Sequence, residues 1–158
     1  MTMCKTTDEN LMSRLRDLAF NKTTPFCDGC NRQVKPEEKG FCKECSSDDL
    51  MRCLEGDTPT WDIGHIVQTL ISSSNLTPVN GDFLHESTID DCYGEFVTVG
   101  YMTFSTAQLM KENDPIMWDI GVQEGLDNLE EDGEISSLEG GEYYHTWEVE
   151  SFLDKEGV

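Results

Sequence analysis

Two Cys-x-x-Cys pairs limit what this chain can fold into more than any other feature of its sequence. Cys27 and Cys30 form the first pair, Cys42 and Cys45 form the second, and eleven residues separate them. Each turn of this kind places two sulfur atoms on one side of a short loop, so two turns are able to surround one metal ion. The chain has seven cysteines, an odd number that cannot all pair as disulfides within one chain. The spacing favours a metal site in a reducing compartment, and redox dithiols or unliganded thiols are the alternatives.

The segment resembles the short zinc-ribbon and zinc-knuckle modules written C-x-x-C-G-x-x-V-x-x-x-x-x-F-C-x-x-C. Val34 and Phe41 fall on that pattern, and Asn31 stands where a glycine is usual. The resemblance implies one Zn²⁺ with four ligands, Cys27, Cys30, Cys42 and Cys45. Four thiolates leave no position for water, so the ion is expected to fold residues 24–46 or to present a recognition surface, and not to catalyse a reaction. Free or buried thiols are expected at the other cysteines, Cys4, Cys53 and Cys92.

Charge divides the chain into two parts. Residues 1–52 have nine basic and nine acidic residues, whereas residues 53–158 have two basic and 23 acidic residues. The net charge of -21 therefore lies entirely in the second part. We predict an N-terminal helix with a zinc module over residues 1–54, and an acidic α+β domain over residues 55–158.

Apolar spacing and turn residues predict an α+β fold. An N-terminal helix presents Leu11, Leu15 and Leu18 on one face. Residues 46–56 are expected to form a short helix, and residues 75–94 are expected to form a loop. Residues 95–105 are expected to form a buried strand or a hairpin bent at Gly100. The other predicted elements are helices at 58–74, 105–113, 115–131 and 147–154 and a hairpin turning at Gly140-Gly141.

Residues 105–146 have the order helix, turn, longer helix, L-x-x-L-x-x-D-G-x-I and hairpin, which resembles a winged helix-turn-helix. An ordinary α+β domain with a helix leading into a hairpin is the alternative. DNA-binding members lay the longer helix, here 115–131, in the major groove. The exposed face of this helix has no Lys or Arg, and each phosphate contact needs a cation, so we do not expect the acidic domain to bind DNA directly. We expect that face to bind a partner protein through Asp119, Glu124, Asp127, Glu130 and Glu131.

The opposite face of the same helix is apolar and is expected to pack into the core. Gly121 and Gly125 form a G-x-x-x-G spacing, which favours close packing at both positions. The residues on this face are Met117, Trp118, Gly121, Val122, Gly125, Leu126 and Leu129.

No motif marks the chain as an enzyme. It lacks a P-loop, a G-x-S-x-G elbow, an H-E-x-x-H pair and a dinucleotide fingerprint. His65 is expected to be structural, and His145 is expected to lie at the surface or at the edge of the core. A Cys–His nucleophile or a second metal site is conceivable near His85, but linear spacing does not support either. The residues concerned are His85, Glu86, Asp90, Asp91 and Cys92.

The function predicted from these features is interaction with a protein. No apolar run approaches the roughly 20 residues of a membrane span, and no apolar signal segment opens the chain, which together favour a cytoplasmic protein without a membrane partner. In composition the chain resembles the small DNA-mimic inhibitors that bacteriophages and mobile elements use against restriction, CRISPR or transcription machinery. That resemblance implies a partner with a basic, nucleic-acid-binding surface.

Two alternatives to this prediction stay open. The first is a zinc-ribbon transcription or nucleic-acid-binding regulator, in which the cations of the module contact nucleic acid. The second is acidity that serves only solubility. The cations of the module are Arg32, Lys35, Lys39 and Lys43.

Overall fold

The computed structural model describes residues 3–158, and side chains from residue 9 onward. That part of the chain has the predicted α+β fold, with six α-helices and three small antiparallel sheets. None of these helices has both the length and the apolar character needed to cross a bilayer. The helices are α1 (Met3–Lys22), α2 (Ile63–Ser73), α3 (Gly81–Tyr93), α4 (Thr106–Asn113), α5 (Pro115–Glu131) and α6 (Thr146–Glu156). The strands are β1 (Thr23–Cys27), β2 (Arg32–Gln33), β3 (Met51–Leu54), β4 (Phe96–Val99), β5 (Met102–Ser105), β6 (Ile135–Ser137) and β7 (Tyr143–His145).

The main hydrophobic core joins the beginning of the chain to its end. Leu11, Leu15 and Leu18 share one face of α1, as predicted, and each is at most 2% exposed. The N-terminal helix therefore folds against the C-terminal region, and the division of the chain at residue 54 stays a prediction. The buried partners from α2, the β6–β7 region and α6 are Ile66, Val67, Ile71, Leu138, Tyr144, Val149 and Leu153.

Ion pairs reinforce this contact at the surface. Three cations of α1 face carboxylates from the C-terminal third of the chain. Exposed pairs of this kind are each worth only about 0–1 kcal/mol, but they direct N-terminal cations toward the acidic region. The pairs are Arg14–Asp154, Arg16–Glu139 and Lys22–Glu156.

The N-terminal sheet has the strand order β2–β1–β3. β1 begins at the residue after α1 and pairs antiparallel with both neighbours. The helix predicted at 46–56 is wrong, because Met51–Leu54 forms strand β3. Pairing with β1 gives the backbone groups of this segment their partners, and this long-range ladder outweighs the local helical signals.

The loop predicted at 75–94 is also wrong, because Gly81–Tyr93 forms α3. Asn80 begins the helix, and its Oδ1 accepts a hydrogen bond from the backbone N–H of Phe83 at 3.2 Å. Asn80 and Gly81 are typical turn residues, yet here they are the cap and the first helical residue. Apolar residues are sparse along α3, and Ile89 is its buried side chain, so the sequence lacks a clear amphipathic pattern.

The predicted order of the C-terminal elements is confirmed. Ser105 and Asp114 begin α4 and α5, and each side chain accepts a hydrogen bond from a backbone N–H in the first helical turn. The β4–β5 pair forms a hairpin at Gly100, which resolves the alternative of a single buried strand. Gly140 and Gly141 turn the β6–β7 hairpin with φ of 102° and 77°, a left-handed region that glycine adopts without strain.

The prediction that the apolar face of α5 is buried is only partly right. Trp118 is 4% exposed and packs with Ile89 and Ala107 in a small second core, whereas Met117 is 59% exposed. α3 and α4 are the helices that pack on α5. They cover part of its apolar face and leave the remainder open to solvent.

The two glycines of α5 have different surroundings. A Cβ added at Gly121 would lie 2.5 Å from Cε1 of His85, so α3 and α5 approach closely only because no side chain stands there. A Cβ added at Gly125 would have no atom within 4 Å. Close packing is therefore confirmed at Gly121 and wrong at Gly125.

This difference predicts opposite effects of alanine at the two positions. Gly125→Ala should raise the free energy of unfolding by about 1 kcal/mol, because alanine favours the helix and fills open space. Gly121→Ala should lower it by about 1–2 kcal/mol, because the new methyl group displaces the His85 ring. Urea unfolding followed by circular dichroism measures both values. Equal stabilisation by the two substitutions would contradict the described packing.

Candidate metal centre and acidic surface

The first cysteine pair lies in the turn between β1 and β2. Cys27 is the last residue of β1 and stands opposite Arg32, the first residue of β2. Cys30 lies in the four-residue turn between them. Asn31 follows with a φ of 49°, which lies in the left-handed region. The zinc-knuckle pattern has a glycine at this position, and asparagine is another residue that adopts this region.

The second pair forms a similar turn just before β3. The backbone N–H of Ser46 donates to the carbonyl of Cys42 at 2.7 Å. Ser46 follows Cys45 and has a φ of 59°. The residue after each Cys-x-x-Cys therefore has the same left-handed backbone. Sequence reasoning found this feature at Asn31 but missed it at Ser46, because serine seldom adopts that conformation.

The two turns bring the four sulfur atoms together. All four Sγ atoms lie within 4.8 Å of one another, and Cys27 Sγ lies 3.5 Å from Cys45 Sγ. A tetrahedral zinc ion with Zn–S bonds of about 2.3 Å needs sulfur atoms about 3.8 Å apart. The predicted ligands therefore form a cluster of the size that a zinc ion requires. Within the side chains that the structure describes, this is the one group of three or more His, Cys, Asp or Glu side chains close enough to hold a metal.

The thiols of the cluster differ in acidity. The backbone N–H groups of Cys45 and Glu44 lower the pKa of Cys42 to about 6. The neighbouring thiols of Cys45 and Cys42 raise the pKa of Cys30 to about 12. Four adjacent thiols do not all ionise at neutral pH without a cation, since thiolates repel each other. A divalent metal offsets that repulsion, so the donor set fits a metal ion better than a set of free thiols.

The cluster is covered on one side by the module itself. Cys27 and Cys42 are buried together with Val34, and Leu50 packs against them. Cys45 is exposed, so the cluster lies at the edge of the module. Phe41 also falls on the zinc-ribbon pattern, but its side chain is 42% exposed.

An ion pair that sequence reasoning missed lies beside the cluster. Arg32 donates two hydrogen bonds to the carboxylate of Glu38, at 2.9 and 2.6 Å, and a third to Cys42 Sγ at 3.4 Å. Glu38 is 5% exposed and also accepts from the backbone N–H of Lys43 at 3.0 Å. These groups tie the loop that carries Cys42 to strand β2. No linear motif marks the pair, because it depends on how the loop folds back.

The ionisation of Glu38 follows from these contacts. Arg32 and the backbone N–H of Lys43 lower the pKa of Glu38 from 4.5 to about 2. The lowered pKa means that the ionised pair stabilises the fold fully above about pH 4.5. That stabilisation is lost as the pH falls toward 2.

The cations of the module do not form one free basic surface. Arg32 is held by Glu38, and Arg52 donates to the carbonyls of Phe20 and Thr23 at the end of α1. Lys35, Lys39 and Lys43 are exposed. Acidic side chains of the same module are exposed among them, at Asp28, Glu37, Glu44, Asp48 and Asp49.

The acidic residues predicted to bind a partner lie along α5. Four of them are exposed, and Glu130 is half-buried. Asp127 accepts a hydrogen bond from Nε2 of Gln123, one turn earlier on the helix, at 2.8 Å. The exposed residues are Asp119, Glu124, Asp127 and Glu131. Their role in binding stays a prediction.

The histidine and acid group near α3 does not form a compact cluster. His85 packs edge-on against Trp118 at 4.5 Å between ring centroids. Asp91 and Cys92 are exposed, and Asp90 is half-buried. His65, which is predicted to be structural, is exposed on α2.

Comparison of the chain with protein-family models, curated proteins and solved structures finds no match. The resemblance to zinc ribbons therefore depends on the sulfur cluster and on the left-handed residues that follow each pair. The comparisons do not support the likeness of the C-terminal part to a winged helix or of the whole chain to DNA-mimic inhibitors.

Replacing Cys27 by serine tests the cluster. We expect the wild-type protein to contain about one zinc per chain, and the variant to lose it. NMR signals of residues 24–46 should lose dispersion while those of the main core persist, because that core contains none of the four cysteines. Cys92→Ser is the control and should keep its zinc, since Cys92 is exposed and lies far along the chain. A wild-type protein without zinc, or a fully unfolded Cys27→Ser variant, would contradict the assignment.

The buried ion pair predicts an effect on metal affinity. Glu38→Gln should weaken zinc binding about tenfold to a hundredfold, because Arg32 loses the carboxylate that orients it toward Cys42. Competition with a chromophoric chelator measures the affinity. Glu37→Gln is the matched control, since Glu37 precedes Glu38 in the short 3₁₀ helix Pro36–Glu38 and is exposed. Equal affinities for the two variants would show that the pair does not support the metal site.

Proposed function

We propose that this protein is a non-enzymatic interaction protein of the reducing cytoplasm. A structural zinc ion folds its N-terminal module, and its acidic C-terminal part occupies a basic, nucleic-acid-binding surface of a partner protein. The DNA-mimic inhibitors that it resembles in composition act in this way, so the expected consequence is that the partner releases its nucleic acid.

One observation carries this proposal. The helix α5 presents Asp119, Glu124, Asp127 and Glu131 to solvent, and no Lys or Arg lies within Pro115–Glu131. A surface of this kind repels phosphates and attracts cations. Opposite charge speeds encounter and selects among partners more than it adds affinity. The acidic helix is therefore suited to compete with nucleic acid for a basic protein surface.

The second candidate function is a zinc-ribbon nucleic-acid regulator. The exposed side chains of Lys35, Lys39 and Lys43 favour it. Their acidic neighbours oppose it, and so does the metal site itself, because four thiolates and one Zn²⁺ together add about two negative charges. Arg32 contributes little to such a surface, since it is bound to Glu38.

Competition is the decisive experiment. A partner is captured with the full chain from a lysate of the native host at low salt, identified and purified, and then titrated with its own nucleic acid and this protein together. The full chain is used because α1 belongs to the main core. We expect mutually exclusive binding that weakens steeply with salt, since exposed charges are screened beyond about 8 Å at physiological ionic strength.

Charge reversal on α5 locates the surface. Changing Glu124, Asp127 and Glu131 to lysine should weaken partner binding at least about tenfold. The control changes Glu9, Asp17 and Glu150 to lysine, which alters net charge equally at exposed positions outside α5. Equal loss in both variants would mean that only net charge matters.

Two other results would reject the proposal. A partner that binds this protein and its nucleic acid at the same time leaves no role for mimicry. Binding of duplex DNA by the full chain at physiological salt would favour the second candidate function.

A further inference from the structure

Exposed apolar side chains are concentrated in one part of this protein. Among the described side chains, fourteen large hydrophobic residues are notably exposed, and ten of them lie between residues 83 and 120. Tyr101, at the tip of the β4–β5 hairpin, is 97% exposed, and Ile116 is 73% exposed. A concentration of exposed apolar side chains is more common at interaction sites than on surfaces that contact only water.

Two cavities of about 510 and 440 Å³ lie along the contact between α3 and α5 in this region, and together they are called the groove here. Both are lined by His85 and Gly121. The lining on α5 extends from Asp114 to Leu129. At about 1.5 Å per residue this length is roughly 22 Å, which corresponds to about four turns of a docked helix.

The walls of the groove are mainly apolar. Ile89, Met117 and Trp118 line one cavity, and Leu126 and Leu129 line the other. Gly125 lies in the lining where a Cβ would meet open space, so the absence of a side chain there keeps the groove open.

The charge around the groove is almost entirely negative. Residues 81–131 contain twelve acidic residues and one basic residue, Lys111. That lysine is paired with Asp82 at 2.8 Å. Asp91 and Glu124 line one cavity, and Asp114 lines the other. An apolar groove inside an acidic rim is complementary to a segment with an apolar face and cationic flanks.

We propose that this groove binds a cationic amphipathic helix of the partner protein, with its apolar face on Met117 and Leu126 and its Lys or Arg side chains at the acidic rim. The assignment rests on the proposed function and specifies which part of the partner is recognised. Docking of an apolar helix face into a groove between helices is a common mode of peptide recognition. A second copy of this chain is a poor occupant, because each copy has a net charge of -21 and presents the same acidic rim.

Synthetic peptides test the groove without the partner or its nucleic acid. The probe is a fluorescent 14-residue peptide of leucine and lysine, with the leucines spaced to form one helical face. The control peptide has the same composition in strict alternation, which favours a strand. Fluorescence anisotropy should show that the full-length zinc-loaded protein binds the helical peptide at least about tenfold more tightly. Equal charge on the two peptides removes general electrostatic attraction from the comparison.

A matched pair of variants places the binding site. Gly125→Leu fills the groove and should weaken binding of the helical peptide at least about tenfold. Gln123→Leu adds the same side chain to an exposed position of α5 that does not line either cavity, and it should change affinity less than about twofold. Circular dichroism melting checks that both variants fold, and sedimentation measures the oligomeric state of the wild type and of both variants.

The outcomes separate this inference from the proposed function. Two results would overturn the groove assignment, whatever the competition with nucleic acid shows. One is equal affinity of the protein for the two peptides, and the other is equal affinity of the two variants for the helical peptide. A wild-type dimer that Gly125→Leu dissociates also overturns it, since a second copy would then occupy the groove. If the protein binds the helical peptide tightly and Gly125→Leu abolishes that binding, the groove assignment is supported. It is supported even when the captured partner keeps its nucleic acid, and in that case only the mimic function fails.

Discussion

The structure depends on one buried contact, the packing of α1 against α2 and α6. Leu11, Leu15 and Leu18 place the beginning of the chain in the same core as Val149 and Leu153 near its end. α1 then continues directly into β1, the central strand of the sheet that carries the first cysteine pair. The cluster of four cysteines is therefore attached to the main core through a continuous helix and strand, although none of these cysteines belongs to that core.

Charge has a different role in each part of the protein. Cations of α1 face carboxylates of the C-terminal third. Arg32 pairs with Glu38 beside the cysteine cluster, and Arg52 ties β3 to the end of α1. These cations form contacts within the folded protein. The N-terminal part, which is formally neutral, therefore has little free basic surface. The acids of α5 have no such cations within their own helix. Four of them, Asp119, Glu124, Asp127 and Glu131, are exposed, and the proposed function assigns their charge to a cationic partner.

The region around α3, α4 and α5 combines features that seldom occur together in a surface that contacts only water. Its second core is small, and many apolar side chains around it are exposed. The surrounding charge is almost entirely negative. Gly121 allows the two helices to approach, and Gly125 leaves space beside that contact. The proposed partner helix would supply both apolar cover and positive charge to this surface.

Local spacing in the sequence left a buried strand and a hairpin open for residues 95–105. It was sufficient to predict the two Cys-x-x-Cys turns, the leucine face of α1, the helices α4 and α5 and the hairpin turning at Gly140-Gly141. Each depends on residues a few positions apart, and the backbone fixes such geometry directly. Only the tertiary structure decided that Met51–Leu54 is a strand, that Gly81–Tyr93 is a helix, that Glu38 pairs with Arg32 beside the thiols and that part of the α5 face stays exposed. The strand, the helix and the partly covered face depend on segments distant in sequence, because a ladder partner or a covering helix exists only after the chain has folded. The Arg32–Glu38 pair joins residues only six positions apart, but it exists only once the loop between them has folded back.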